Sequence, residues 1–218
     1  MMFDTGLSLN DLLFLAKGAA VTLAITAVAV FFGTLLGIVF GTVKAQVSAL
    51  AAAPLTFVLD VLRSVPLLIQ LILANAFQSI AGWGWSPFLV ACVMLSLYTS
   101  AYCTEIVRGG IDAVPMVTRR AARSLGMSWR QDMTNVTLPM ALRVALPGWI
   151  GLALGVMKDS ALVLWLGIIE LLRSSQILVT RLQEPLFILM ITGIIYFAIS
   201  FPIARLGGRL EARWHEND

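Results

Sequence analysis

The stretch SVPLLIQLILANAFQSIAGWGWSPFLVACVMLSLYTSAYCT, residues 64–104, carries no charged side chain. As one α-helix its 41 residues would be about 60 Å long, roughly twice the hydrocarbon thickness of a bilayer. The stretch must therefore fold back on itself. Two glycines and a proline interrupt it near residues 82–87, beside two tryptophans, which prefer the membrane interface. We predict two membrane spans, at about residues 55–77 and 87–107.

Apolar runs of similar length lie on both sides of this stretch, and they predict spans at about residues 18–43, 144–168 and 186–206. The whole chain is 59% hydrophobic and only 12% charged, whereas a soluble domain is roughly 25% charged. This composition excludes a soluble enzyme, a disordered chain and a nucleic-acid-binding protein. We predict an all-α membrane protein, with five spans forming a single transmembrane domain over residues 1–218.

The basic residues outside the spans predict its orientation, because cytoplasmic segments carry an excess of lysine and arginine. Five spans place the two termini on opposite sides of the membrane. Ten basic residues then fall on one side and three on the other. The ten are Lys44, Arg108, Arg119, Arg120, Arg123, Arg130, Arg143, Arg205, Arg209 and Arg213; the three are Lys17, Arg173 and Arg181. We expect the N-terminus outside and the C-terminus in the cytoplasm.

The one long polar insert, residues 108–143, is expected on the cytoplasmic side as two short helices lying across the membrane face. Thr118 is a candidate N-cap for the first helix, and Gly126 fits the left-handed residue that ends it. Ser128 opens the second helix with a capping box, and Pro139 is expected to end it.

Three arginines crowd the start of the first helix, where the helix dipole disfavours cations. One interpretation is that they only set the topology. The other is a docking surface for a cytoplasmic partner, with small residues allowing close approach. The residues of that surface are Arg119, Arg120, Ala121, Ala122, Arg123, Leu125 and Gly126.

Charges inside the predicted spans are costly, at about 3 kcal/mol each on insertion scales. Lys158 and Asp159 are adjacent, so on a helix they diverge and each needs a partner elsewhere. One interpretation is an ion-pair network that holds the bundle together. The other is a substrate path or gate for a charged or zwitterionic solute. Its candidate residues are Arg63, Gln70, Lys158, Asp159 and Ser160.

Several motifs resemble one family of transport proteins. Ala121-Ala122, three residues, Gly126, nine residues and then Val136-Thr137-Leu138-Pro139 resembles the coupling loop of ATP-binding-cassette (ABC) importer permeases. Three flanking segments are similar to the polar amino-acid uptake permeases, which serve histidine, glutamine, glutamate, arginine or opines. These are LRSVPLLIQ at 62–70, EIVRGGIDAVP at 105–115 and KDSAL at 158–162. Arg120 departs from the family, which usually has glutamate at that position.

This resemblance implies the translocation subunit of an ATP-driven importer of polar amino acids or related small zwitterionic solutes. Its implied partners are two cytoplasmic ATPase subunits, a second permease chain of the same or a paralogous kind, and an extracytoplasmic solute-binding protein. The implied location is the bacterial cytoplasmic (inner) membrane, with residues 108–143 as the coupling loop that contacts the ATPase.

No catalytic residue, metal site or cofactor is expected in this chain. It has no Gly-x-x-x-x-Gly-Lys-Ser/Thr motif to hold nucleotide phosphates, so we expect the partner to bind ATP and Mg²⁺. The alternatives are a stand-alone secondary transporter, an intramembrane hydrolase and a non-transporting assembly subunit. The residues do not distinguish which solute is carried, or whether the two permease chains are alike.

Overall fold

A computed structural model describes the backbone of residues 6–215 and the side chains to residue 212, so the side chains of Arg213 and His215 lie outside it. The described chain is helical throughout and has no strand. Its helices are α1 Leu9–Lys44, α2 Ala49–Ser64, α3 Leu67–Ile80, α4 Pro87–Asp112, α5 Met116–Ser124, α6 Trp129–Asp132, α7 Leu138–Asp159, α8 Leu171–Leu182 and α9 Pro185–His215. A π-helical turn, Met133–Thr137, joins α6 to α7, and a 3₁₀ helix, Ser160–Leu166, follows α7.

The prediction of an all-α membrane protein is confirmed. In the described chain, α1, α4, α9 and the continuous run Trp129–Leu166 are long and apolar enough to cross a bilayer. The pair α2 and α3 passes the same test only jointly, because the two helices have only 16 and 14 residues; they meet at a bend of 107°. The spanning helices therefore number four, or five when the bent pair is one span.

The second predicted span, 55–77, is not one helix. Val65 takes an extended conformation, with φ −81° and ψ 132°, immediately before Pro66. A residue that precedes proline is disfavoured in the α region, so α2 ends here and α3 starts in a new direction. Pro66 already indicates this break in the sequence, but the length of an uncharged stretch does not reveal it.

Three of the other predicted spans are shorter than the helices that contain them. For 18–43 the helix starts at Leu9, because Asp11 accepts a hydrogen bond from the Ser8 amide (2.9 Å) and no residue after it breaks the helix. The helix around 87–107 runs to Asp112, and α9, around 186–206, runs from Pro185 to His215. These extensions carry the helices into the polar regions on either side.

Around the fourth predicted span, 144–168, the α-helix starts earlier than predicted, and it gives way to a 3₁₀ helix before residue 168. Pro139 does not end a helix as expected, since it lies in the first turn of α7, where proline is tolerated. The chain tightens to 3₁₀ geometry at Ser160 and leaves it at Gly167. Helix α8, which the sequence analysis missed, follows and packs against α1 and α9.

The core is built around the contact between α1 and α4. One buried cluster joins these helices to α3, α7 and the 3₁₀ helix, and it includes Ile25, Leu71, Leu95 and Val163. A second joins α1 to α8 and α9, and it includes Leu15, Leu171, Leu178 and Ile188. Glycines at every fourth position of α1 (33, 37 and 41) let α4 approach closely, as small residues do between membrane helices.

Gly37→Ala is expected to destabilise the bundle, because the added Cβ would lie 2.5 Å from Cys103 Cβ. Overpacking of this kind costs about 1–3 kcal/mol. Gly193→Ala is the matched control in α9, since a Cβ there has no neighbour within 4 Å among the described residues. The thermal midpoint of the detergent-solubilised protein should fall for Gly37→Ala and hold or rise for the control. Equal midpoints would contradict the close α1–α4 packing.

Candidate functional site

One face of α4 carries three polar side chains: Tyr98, Tyr102 and Glu105. Their spacing of four and then three residues places them along one line on the helix. The two tyrosine rings lie 4.9 Å apart between centroids, and the Tyr102 hydroxyl lies 3.5 Å from the backbone carbonyl of Arg63. This polar face of α4 runs past the end of α2 toward the end of α7.

At one end of this face, Glu105 lies within ion-pair distance of cations from three helices. Its carboxylate binds Lys44 of α1 and accepts from Arg108 Nε at 3.0 Å, and Arg63 Nη2 of α2 lies 3.8 Å away. Arg63 also pairs with Asp60. In both pairs, Asp60–Arg63 and Glu105–Arg108, the two residues are three apart and share one helix face. The Lys44 side chain is only 8% exposed, so Glu105 is the partner that offsets its buried charge.

At the other end lies Asp159, the last residue of α7. It is half-buried and interacts with the Tyr98 hydroxyl on α4, while its neighbour Lys158 is exposed. Asp159 therefore has a partner on another helix, as its predicted position inside the bilayer requires. Ser160 is fully buried and donates to the Met157 carbonyl at 2.7 Å, where the chain enters 3₁₀ geometry.

Gln70 holds the bend between α2 and α3. Its Nε2 donates to the carbonyls of Leu62 (2.8 Å) and Val65 (2.7 Å), which the break has released from helical bonding. Its Oε1 is buried and makes no hydrogen bond with the described residues. The amide thus supports the backbone that carries Arg63.

The structure brings only part of the predicted path together. Arg63 and Asp159 lie at opposite ends of the tyrosine pair on α4, whereas Gln70 and Ser160 are bonded to backbone carbonyls. The sequence analysis did not find Tyr98 and Tyr102. The i, i+4, i+7 spacing with Glu105 could have marked them as one helix face.

The segment between α4 and α7 is shorter than the predicted insert 108–143, because both helices extend into it. Helix α5 begins at Met116, with Pro115 as its N-cap residue, so the proposed cap at Thr118 is wrong: the Pro115 carbonyl already accepts a hydrogen bond from the Thr118 amide at 3.0 Å. Gly126 has φ +81° and ends the helix region as predicted. The capping box of Ser128 with Gln131 is also confirmed, and the Ser128 amide donates to Gln131 Oε1 at 2.8 Å.

The three arginines of α5 divide into two groups. Arg119 and Arg123 face the buried carboxylate of Asp132, at 3.9 and 3.7 Å from Nε to Oδ2. Arg120 is exposed. Of the small residues, Ala122 is buried under the helix while Ala121 is exposed. Val117 and Leu125 are 77% and 82% exposed, so this side of the loop is an uncovered surface.

On the far side of the bundle, Glu170 is fully buried and caps α8. Its carboxylate accepts from the amides of Leu172 (2.8 Å) and Arg173 (2.7 Å). Thr22 of α1 and Tyr196 of α9 lie at 3.4 and 3.5 Å. The carboxylate therefore joins three helices, and the sequence analysis did not single it out.

Apolar spanning helices, a polar face on α4 that leads to paired charges, and an uncovered pair of short helices fit a membrane transport subunit. The family of binding-protein-dependent transport system inner membrane components matches residues 33–216, and the chain belongs to this family. It is a permease, and a multi-pass protein of the bacterial inner membrane. Such subunits usually have no catalytic activity of their own.

The relatives of the chain include named amino-acid permeases. "Probable amino-acid ABC transporter permease protein YckA" of Bacillus subtilis (strain 168) is 30% identical over 213 residues, which cover 98% of this chain and 94% of the relative. The arginine transport system permease protein ArtQ of the same strain is 28% identical over 219 residues, covering 100% of both. A crystal structure of an amino acid ABC transporter with histidines matches with a TM-score of 0.86 and 28% identity, over 98% of this chain and 100% of that chain.

Gly126→Val is expected to loosen the joint between α5 and α6. A β-branched residue is strained at φ +81°, by about 1–2 kcal/mol or more, although a Cβ there meets no atom of the described residues within 4 Å. Gly126→Asn is the matched control, because asparagine tolerates the left-handed region. Amide hydrogen exchange across residues 116–132 should be about tenfold faster for the valine variant and nearly unchanged for the asparagine variant. Equal protection in both variants would contradict a backbone requirement at this position.

Proposed function

We propose that this chain is the translocation subunit of an ATP-driven, binding-protein-dependent importer of polar amino acids or related small zwitterionic solutes. The observation that carries the proposal is the polar face of α4, which has Asp159 at one end and the cluster of Arg63 and Glu105 at the other. A zwitterion presents a carboxylate and an ammonium, so a path with both signs of charge suits it. Relatives named for amino acids support the same substrate class.

The path residues have different roles in this proposal. Asp159 and Arg63 bind or gate the solute, and the exposed Lys158 adds a cation beside Asp159. Gln70 and Ser160 act on the path through the backbone, since each side chain supports the turn or break beside it. Broken helices with irregular backbone commonly line the substrate sites of transporters.

The loop of α5 and α6 docks on the ATPase partner. Its contacting residues are Arg120, Ala121, Leu125 and Gly126. Ala122 is buried under the helix, and Arg119 and the largely exposed Arg123 hold the loop through Asp132. The exposed Arg120 replaces the glutamate usual in the family. Because two facing cations would repel, the ATPase should present an acidic or neutral surface there.

Transport then follows alternating access. ATP and Mg²⁺, bound by the partner ATPases, close the ATPase pair and move the docked loops, and the helices switch between inward-open and outward-open states. A second permease chain completes the path, and an extracytoplasmic binding protein delivers the solute. This chain itself supplies the path and the docking loop.

The orientation that this mechanism requires has the N-terminus outside and the C-terminus in the cytoplasm. Cysteine labelling tests it. One cysteine is introduced as Asn135→Cys in the π-helical turn that follows α6, and the other as Ser79→Cys near the last residue of α3; both positions are exposed. A membrane-impermeant reagent should label the cysteine at 79 in cells with only a permeabilised outer layer, and that at 135 only after the cells are opened. The native Cys92 and Cys103 are buried and give the background. The reverse labelling pattern would remove the loop from the ATPase side.

Asp159→Asn tests the path, because it removes the charge with little change of shape. Uptake into proteoliposomes containing the complete transporter should fall at least tenfold, while ATPase association and basal ATP hydrolysis persist. Glu184→Gln is the control, since it removes one exposed carboxylate from the turn before α9.

The thermal midpoint of the purified complex separates this role from a structural one. If Asp159 were purely structural, losing its charge would lower the free energy of unfolding of the complex by about 1.5–3 kcal/mol, the contribution of a hydrogen bond to a charged group. Normal uptake together with a normal midpoint would contradict both roles.

A further inference from the structure

Asp132 is the most completely buried carboxylate in the described part of the docking loop. The residue is 0% exposed, and its Oδ1 accepts a hydrogen bond from Thr137 Oγ1 at 3.0 Å. Its Oδ2 makes no hydrogen bond with the described residues. Arg119 and Arg123 lie 3.9 and 3.7 Å from this oxygen, which is beyond hydrogen-bond distance but within ion-pair range.

These two arginines are the principal polar attachment of α5 to the rest of the loop. They are four residues apart, so they project from the same face of the helix. Only Ala122 among the residues of α5 is buried, so little apolar area holds the helix in place. The ion pairs with Asp132 therefore decide how α5 is oriented. They also offset the repulsion of the crowded cations.

Asp132 lies in the same continuous helical run as a membrane-spanning helix. Asp132 ends α6, its bond to Thr137 crosses the π-helical turn, and α7 begins at the next residue, Leu138. The run Trp129–Leu166 is continuous and leads to Asp159 and Ser160 in the candidate path. A displacement of α5 thus reaches α7 through one buried anion.

We propose that Asp132 is a positioning residue for energy coupling, which fixes α5 to the base of α7 and turns Arg120 toward the ATPase. This inference rests on the proposed function, because it assigns a role within ATP-driven transport. The carboxylate pairs with the half-buried Arg119 and with Arg123, whose side chain stays 55% exposed, while Arg120 lies on the exposed face. Movement of the docked α5 is transmitted to the end of α7 that carries Asp159.

The test compares Asp132→Asn with a neutral variant, Asp132→Asn combined with Arg119→Gln and Arg123→Gln. The single variant leaves two arginines facing a buried amide, whereas the neutral variant has no uncompensated charge at this position. Asn135→Ala is the control, since Asn135 is exposed on the same π-helical turn. Each protein is assembled with its ATPase and binding protein in proteoliposomes.

We expect amide exchange in α5 to be at least tenfold faster in both Asp132 variants, with the ATPase still bound. Solute stimulation of ATP hydrolysis should fall at least tenfold, and more ATP should be hydrolysed per solute imported. The neutral variant should recover the thermal midpoint but not the coupling. The control should match the wild type in every measurement.

Normal coupling in the neutral variant would overturn the inference, because the charges would then only compensate one another. Unchanged exchange of α5 in Asp132→Asn, or faster exchange with normal coupling, would overturn it as well. A wild-type complex that shows no ATP-driven uptake would overturn the proposed function and the inference with it. Coupled transport by the wild type with unaffected variants overturns the inference alone.

Discussion

The pairing of charges between neighbouring elements is the interaction on which this structure depends. In a chain this apolar, a buried charge without a partner destabilises the fold by several kcal/mol. Buried or half-buried carboxylates meet the requirement by joining elements, with cations as partners at Asp11, Glu105 and Asp132 and with neutral hydrogen-bond donors as partners at Glu170. Glu105 joins α1, α2 and α4, Asp132 joins α5 to the base of α7, and Glu170 caps α8 between α1 and α9. These carboxylates therefore mark the points at which separate helices are held together.

The candidate path lies where regular helix ends. The bend at Val65–Pro66 brings Arg63 to the polar face of α4, and the change to 3₁₀ geometry at Ser160 sets the end of α7 at Asp159. Such breaks release backbone carbonyls, which Gln70 and Ser160 satisfy locally. Elements that carry polar backbone inside the membrane are the ones able to bind a polar solute and to change shape.

Much of the fold follows from local rules in the sequence. Uncharged length identified the membrane-crossing regions, the positive φ at Gly126 followed from its place after a helix, and Ser128 with Gln131 gave the capping box. The bend at Pro66 and the helix α8 were missed. The first needs the rule for residues before proline, and the second is an amphipathic helix too short for a span.

The candidate site was harder to predict, because its partners are far apart in the chain. The pairs Asp60–Arg63 and Glu105–Arg108 are local, because their members are three residues apart on one helix, and spacing alone is enough to indicate them. The interaction of Tyr98 with Asp159 and the pairing of Arg119 with Asp132 depend on how helices pack, and no local pattern encodes that packing. Likewise, the sequence does not distinguish the three arginines of α5, and only the fold shows that Arg119 and Arg123, unlike Arg120, lie beside Asp132.

The most direct test of the account is solute uptake by the purified permease reconstituted into liposomes. The account predicts uptake of a polar amino acid only when the ATPase subunits, ATP on their side and the binding protein on the other side are all present. Uptake by the permease chains alone, driven by an ion gradient and independent of ATP, would contradict it and would favour a secondary transporter.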